Sequence, residues 1–355
     1  MERRTTPQNT GSTMRQLSCT SLLTVLALAA CSDAADDDVT LPVPPRCESM
    51  PLTLPATLSA AGLYSGDDLL ELCPQVRPFT PAATLWSDGA DKSRFVRFPT
   101  GVVVDGTDVD HWRFPRGTMF WKEFRVQGVR TETRAMIKVG DGDGEWEMSS
   151  YQWRAAGDDA DLVPEGVENV TASGWDIPST TACLSCHENE RSGVLGYSAV
   201  LLSHDDQLQQ LVNDSLLAPA PVAVDDVVVK PAVHSWPEPA RSALLYLSVN
   251  CGHCHQAGGV GYEFTKLDGV DGLAMRVAFG DPDPQHTAAA TTTTLPLASP
   301  LEAVTQRVVA GDPANSGLYL RLTHRDWMQM PPLGTEVVDD AGAAQVAAWI
   351  NSLPR

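Results

Sequence analysis

Positive charge is scarce in this chain of 355 residues: 25 Lys and Arg stand against 45 Asp and Glu, a formal charge of -20. A surface of that sign repels nucleic acid and anionic lipid, which argues against a DNA- or RNA-binding role. It would steer basic partners, or serve solubility alone. Long apolar runs are missing beyond the first thirty residues, where nothing approaches the roughly 18 apolar residues of a membrane-spanning helix. The acid-rich turns Asp105 to Asp110 and Asp141 to Glu145 lack the full calcium-loop register with its closing Glu, and read as plain turns. Cysteine is limited to eight residues, few enough that each can be given a role.

The one strongly apolar stretch is Ser21 to Ala30, preceded by Arg3, Arg4 and Arg15. This is the layout of an export signal over residues 1–30. Leu28-Ala29-Ala30-Cys31 resembles the bacterial lipobox, in which the cysteine is lipidated, with ordinary cleavage near Ala30 as the alternative. Ser32 after Cys31 points to the outer membrane. A lipid anchor in the cell envelope, facing the periplasm or the surface, is the expected location. Residues 31–80 then read as an acidic, proline-rich tether.

Four cysteines fall into two pentapeptides, Cys183-Leu-Ser-Cys186-His187 and Cys251-Gly-His-Cys254-His255. Cys-x-x-Cys-His is the attachment pattern of a c-type haem: the sulfurs add to the two vinyl groups and the trailing histidine reaches the iron. Two copies imply two haems. The alternative is a zinc knuckle, in which thiols and histidines gather round one metal. Cys47 and Cys73 are left over and would form a disulfide in an oxidising compartment, or stand as two unrelated thiols.

Between residues 81 and 175 the pattern is short alternating runs: Phe95 to Phe98, Gly101 to Val104, His111 to Phe114, Met119 to Val126, Thr131 to Val139 and Glu145 to Met148. They predict an antiparallel, β-sandwich-like domain with hairpin turns at Gln127-Gly128 and Asp141 to Gly144. Residues 176–239 carry the first haem motif, a helix over Leu201 to Leu217 and a linker. Over 240–355, a helix leads into Cys251, Asp312-Pro313 starts another, and Asp339-Asp340 can cap a last helix bearing Val346, Trp349 and Ile350.

That C-terminal arrangement, with Met330-Pro331-Pro332 between the helices, resembles the class I cytochrome c fold. The expected fold class is therefore α+β and multidomain, an antiparallel β-sandwich-like domain followed by an all-α haem domain. The resemblance implies Met330 as sixth ligand of the second haem, with Met328 as the alternative. Taken with Trp175 to His187, Val249 to His255, Gly311 to Ser316 and Met330 to Gly334, the chain resembles exported dihaem c-type cytochromes of Gram-negative bacteria, which are often lipoproteins. The resemblance implies an electron carrier with redox-protein partners. No methionine lies between His187 and Cys251, so the sixth ligand of the first haem stays open among His204, His234, His111, Met136 and Met148. An open position there would instead give a peroxidase-like enzyme, and an aromatic groove on the sheet would make a binding module.

Overall fold

Alternation along the chain builds the central sheet. The computed structural model describes residues 45–48, 50–223, 225, 227–285, 287, 295–301 and 303–355; the export segment and Cys31 lie outside them. The strands are β1 (Arg77–Pro78), β2 (Asp91–Arg97), β3 (Val104–Asp105), β4 (Met119–Val126), β5 (Val129–Lys138), β6 (Trp146–Trp153), β7 (Ala160–Leu162), β8 (Leu217–Ala218), β9 (Pro296–Leu301) and β10 (Val304–Gln306). Six of them form one antiparallel sheet in the order β1-β2-β4-β5-β6-β7. Gln127 at φ 52° and Gly128 at φ 81° close the β4-β5 hairpin, because two left-handed residues match the twist of the strands they join.

Successive side chains point to opposite faces, and the two faces have different covers. Met119, Trp121, Ala135, Ile137, Tyr151 and Trp153 pack under the irregular segment that holds Leu54, Leu58, Leu63 and Leu69. Cys47, on the short helix α1 (Pro45–Glu48), is bonded to Cys73 at 2.00 Å within that cover. Phe120, Met136, Trp146 and Met148 face the other way, against Trp112, Phe114, Tyr197 and Leu208.

The sandwich-like expectation fails for a physical reason. Gly101 to Val104 contributes only β3, which pairs in parallel with β8, and His111 to Phe114 supplies a single bridge from Arg113 to Asp105. Trp112 and Phe114 instead pack edge-on against Tyr197 and Phe120, with ring centroids 5.8 and 5.3 Å apart. As a lid over the sheet both rings are buried, and large aromatic side chains dominate core energetics through the area they bury. The predicted helix over Leu201 to Leu217 breaks into α3 (Ala199–Leu202) and α4 (Gln207–Asn213) at Asp206, whose φ is 55°. Ahead of them lies α2 (Thr180–His187).

The all-α class I cytochrome c domain expected over 240–355 does not form either. The helices there are α5 (Ala240–Asn250), α6 (Val260–Phe264), α7 (Gly317–Thr323) and α8 (Asp340–Ser352), and between α6 and α7 the β9-β10 ribbon and irregular chain take over. Gly269, Gly272, Pro282, Pro284, Pro296 and Pro300 populate that interval, and helix formation is costly at each. The flanking helices do pack: Leu244, Leu247, Val346, Trp349 and Ile350 share one core. Asp339 caps α8 by accepting from the Gly342 N–H at 2.9 Å. A Cβ on Gly342 would sit 2.2 Å from the Tyr246 ring, so only glycine permits that approach. Val43–Arg355 form one compact unit.

Candidate functional site

The first motif lies on a helix, and this decides what it can do. Ser179 caps α2, its hydroxyl accepting from the Ala182 N–H at 3.2 Å. Cys183, Cys186 and His187 are then spaced i, i+3, i+4, on one helix face. That face opens onto a cavity of about 700 Å³ between the sheet and the C-terminal helices, and all three residues line it. Phe120, Phe124, Met136, Met148, Trp175 and Leu195 supply apolar wall, while Cys251, Leu322 and the 331–336 loop close the other side. Cofactor sites are commonly about 300 to 1,000 Å³ and mostly apolar.

The imidazole is held in one tautomer. His187 Nδ1 lies 2.8 Å from the Gly193 carbonyl, which can only accept, so Nδ1 carries the proton and Nε2 keeps a lone pair. Burial pushes His187 down to about 3, which keeps the ring neutral. The four motif thiols are unbonded. Burial pushes Cys183 and Cys186 upward, Cys251 to about 12 and Cys254 to about 11. These are neutral thiols, unlike the low-pKa thiolate of a redox dithiol. Among the described residues no three His, Cys, Asp or Glu side chains converge to hold a metal ion, so the zinc-knuckle alternative lacks its donor set.

The second motif is presented differently, because α5 ends at Asn250. Residues 251–255 form a turn in which the Cys254 and His255 N–H groups both donate to the Cys251 carbonyl, at 3.2 and 2.8 Å. Cys251 and His253 line the cavity, whereas Cys254 and His255 do not. His255 makes the same commitment as His187, with Nδ1 3.2 Å from the Leu273 carbonyl. Its Nε2 rests against α6: a Cβ on Gly261 would fall 2.8 Å away. A ligand on that nitrogen therefore requires α6 to shift. The motifs are tied together by Gln256, whose side chain donates to the Asn189 carbonyl at 2.7 Å, and by the Val260 N–H donating to Asn189 Oδ1 at 3.2 Å.

Met330 is half-buried and its N–H donates to the Arg321 carbonyl at 2.9 Å. Gln329, Pro331 and Pro332 line the cavity, but Met330 and Met328 do not. Asp88 fixes this loop, accepting from Thr335 Oγ1 at 2.8 Å and from the N–H groups of Glu336 and Val337 at 3.0 and 2.9 Å. Of the candidates for the sixth position near the first motif, the histidines are engaged elsewhere. His111 meets Glu190 at 3.0 Å, His204 meets Asp205 at 2.9 Å, and His234 Nε2 meets Ser203 Oγ and the Val200 carbonyl at 3.0 and 2.9 Å. None of the three lines the cavity, whereas Met136 and Met148, direct cross-strand partners, both do.

Sequence reasoning overlooked the cations of this wall. Lys92, Arg94, Lys122 and Arg134 all line the cavity. Burial pushes Lys92 and Lys122 down to about 7. Period-2 alternation placed them on one face, but which residues stand opposite one another depends on register. The carboxylate of Glu132, fully buried, receives Arg134 Nε and Nη2 at 2.6 and 3.1 Å, Ser150 Oγ at 3.0 Å and Trp175 Nε1 at 3.2 Å.

No protein-family model, curated protein or solved structure matches the chain.

Proposed function

We propose that the chain is a c-type cytochrome that carries two covalently attached haems and transfers electrons in the bacterial cell envelope. The observation that carries this reading is the first motif: two neutral thiols and a neutral imidazole on one helix face, opening onto a cavity walled by aromatic rings and thioethers. Haem, when bound, supplies one-electron chemistry. The chain's residues do the rest. Cys183 and Cys186 tether, His187 Nε2 ligates, and the Gly193 carbonyl fixes the ring. Met136 or Met148 offers sulfur as sixth ligand, and soft sulfur favours the reduced state. Cys251, Cys254 and His255 would hold the second haem, and Met330 would be its sixth ligand; the loop and α6 would have to move for that.

The link through Asn189 and Gln256 suits electron passage between the sites. A lipid on Cys31 would anchor the carrier at the outer membrane; among the described residues no helix is long and apolar enough to cross one. The formal charge of -20 suits a basic redox partner.

The test is the mass and spectrum of the exported full-length protein. Two covalent haems are expected, one lost in the Cys183→Ala/Cys186→Ala variant and the other in Cys251→Ala/Cys254→Ala. Loss of a near-infrared sulfur-ligation band in Met136→Leu or Met148→Leu identifies the sixth ligand. A purified protein without covalent haem, or with stoichiometric zinc, overturns the proposal; a high-spin first haem that binds cyanide turns the carrier into an enzyme.

A further inference from the structure

On the sheet face that bounds the cavity, Arg94 of β2 stands directly opposite Lys122 of β4, and Lys122 directly opposite Arg134 of β5. Like charges paired across strands are destabilising, and a low-dielectric setting raises the cost. Among the described residues only Arg134 has a paired carboxylate, that of Glu132. Arg94 donates to the Lys92 carbonyl at 3.3 Å, and Lys92 itself reaches the Leu85 carbonyl and Ser87 Oγ. The Lys122 side chain makes no hydrogen bond or ion pair with any described residue. The acids on the cavity lie elsewhere: Asp88 is consumed by the 335–337 loop, and Asp176 and Glu336 are exposed at the rim. The wall thus presents a cationic row in which, among the described residues, Arg94 and Lys122 have no paired carboxylate.

Its direction matters. The Thr180 hydroxyl of α2 donates to the Met148 carbonyl of β6 at 3.3 Å, which packs the first turn of α2 against β6. From there the row runs outward through β5 and β4 to β2, ending beside Lys92. A flat group tethered at Cys183 and Cys186, with carboxylates on the edge remote from its tethers, would share the cavity with this row and could turn its anionic edge toward it.

We infer that Arg94 and Lys122, with Arg134 behind them, seat the propionate carboxylates of the haem tethered at Cys183 and Cys186. The inference rests on the haem reading above and adds a residue-level consequence: neutralising the propionates holds this haem at higher potential than it would otherwise have, because a cation nearby disfavours the ferric charge.

The experiment compares the midpoint potential of each haem in the exported protein, followed separately by EPR, for wild type, Lys122→Met, Lys122→Arg and Arg94→Gln. In Lys122→Met the ferric-to-ferrous ratio of the first haem at fixed ambient potential rises about tenfold, equivalent to about 59 mV for one electron. Lys122→Arg stays within about threefold of wild type, and the second haem is unmoved in both. If Lys122→Met fails to take up haem, Arg94→Gln carries the same expectation. Unchanged potentials in variants whose mass still shows two covalent haems overturn the inference while leaving the haem reading intact; absence of haem from the wild type removes that reading instead. A spectral response of the wild-type first haem to inorganic phosphate that Lys122→Met abolishes makes the occupant a diffusible anion, and also overturns it.

Discussion

Replacing Gly193 with alanine tests how His187 is held. Gly193 has φ +73°, and an added Cβ would lie 2.5 Å from both Cδ1 and Nε1 of Trp146. Its carbonyl accepts from His187 Nδ1 at 2.8 Å, and the neighbouring Ser192 carbonyl accepts from Trp146 Nε1 at 3.0 Å. A left-handed alanine costs about 1 to 2 kcal/mol. Pushing a buried tryptophan aside adds about 1 to 3 kcal/mol, so Gly193→Ala should lose about 2 to 5 kcal/mol. Gly196 is the matched control: three residues on, it has φ +87° with nothing within 4 Å of its missing Cβ. Gly196→Ala should lose only the conformational part, about 1 to 2 kcal/mol. Urea unfolding at constant m-value measures both. If haem is bound as proposed, only Gly193→Ala should gain a high-spin component, as the imidazole loses its carbonyl. Equal destabilisation by the two variants, or a Gly193→Ala protein with wild-type stability and spectrum, refutes the reasoning.

Three further outcomes follow from other parts of the molecule. The Cys47→Ser/Cys73→Ser variant releases a cross-link spanning 26 residues, for which chain entropy gives a loss of about 3.5 kcal/mol in urea unfolding; a loss under about 1 kcal/mol would mean the cross-link constrains little. Glu132→Gln removes the carboxylate that pairs with Arg134 and leaves a half-buried guanidinium facing a neutral amide, a cost of about 1 to 3 kcal/mol. A variant with an unchanged midpoint would show that water already compensates Arg134. Lys92 and Lys122 stand at about 7 when folded, against 10.5 when unfolded, so between those values the unfolded chain binds more protons and stability of the haem-free protein rises with pH. Below about pH 7 both lysines are charged in both states and the slope vanishes. The Lys92→Met/Lys122→Met variant should flatten the profile, and a wild-type profile already flat from about pH 7 to 10 contradicts the burial argument.

What the sequence alone determined is local and periodic. Cys-x-x-Cys-His fixes three groups within one helical turn wherever it lies on a helix, and in α2 it does. The run Met119 to Val126 alternates and becomes β4 with the same ends. Asp339 is a helix cap by its chemistry and serves as one. Tertiary structure decided whatever required two distant segments to meet. Trp112 and Phe114 alternate like strand residues, yet are buried as a cover over Phe120 and Tyr197. Terminal helices with matching apolar stripes do pack, but they do not make residues 240–355 all-α, because the glycines and prolines between them send the chain into a ribbon and irregular structure. The distal candidates near the first motif were indistinguishable in sequence; only folding engages His111, His204 and His234 elsewhere and leaves Met136 and Met148 on the cavity. The row of Arg94, Lys122 and Arg134 is the clearest case. Each is an unremarkable basic residue in its own strand, and a one-residue slip in pairing would send it to the opposite face. Register, set by the hairpin turn and by the apolar face under the 50–76 segment, is what places three positive charges side by side.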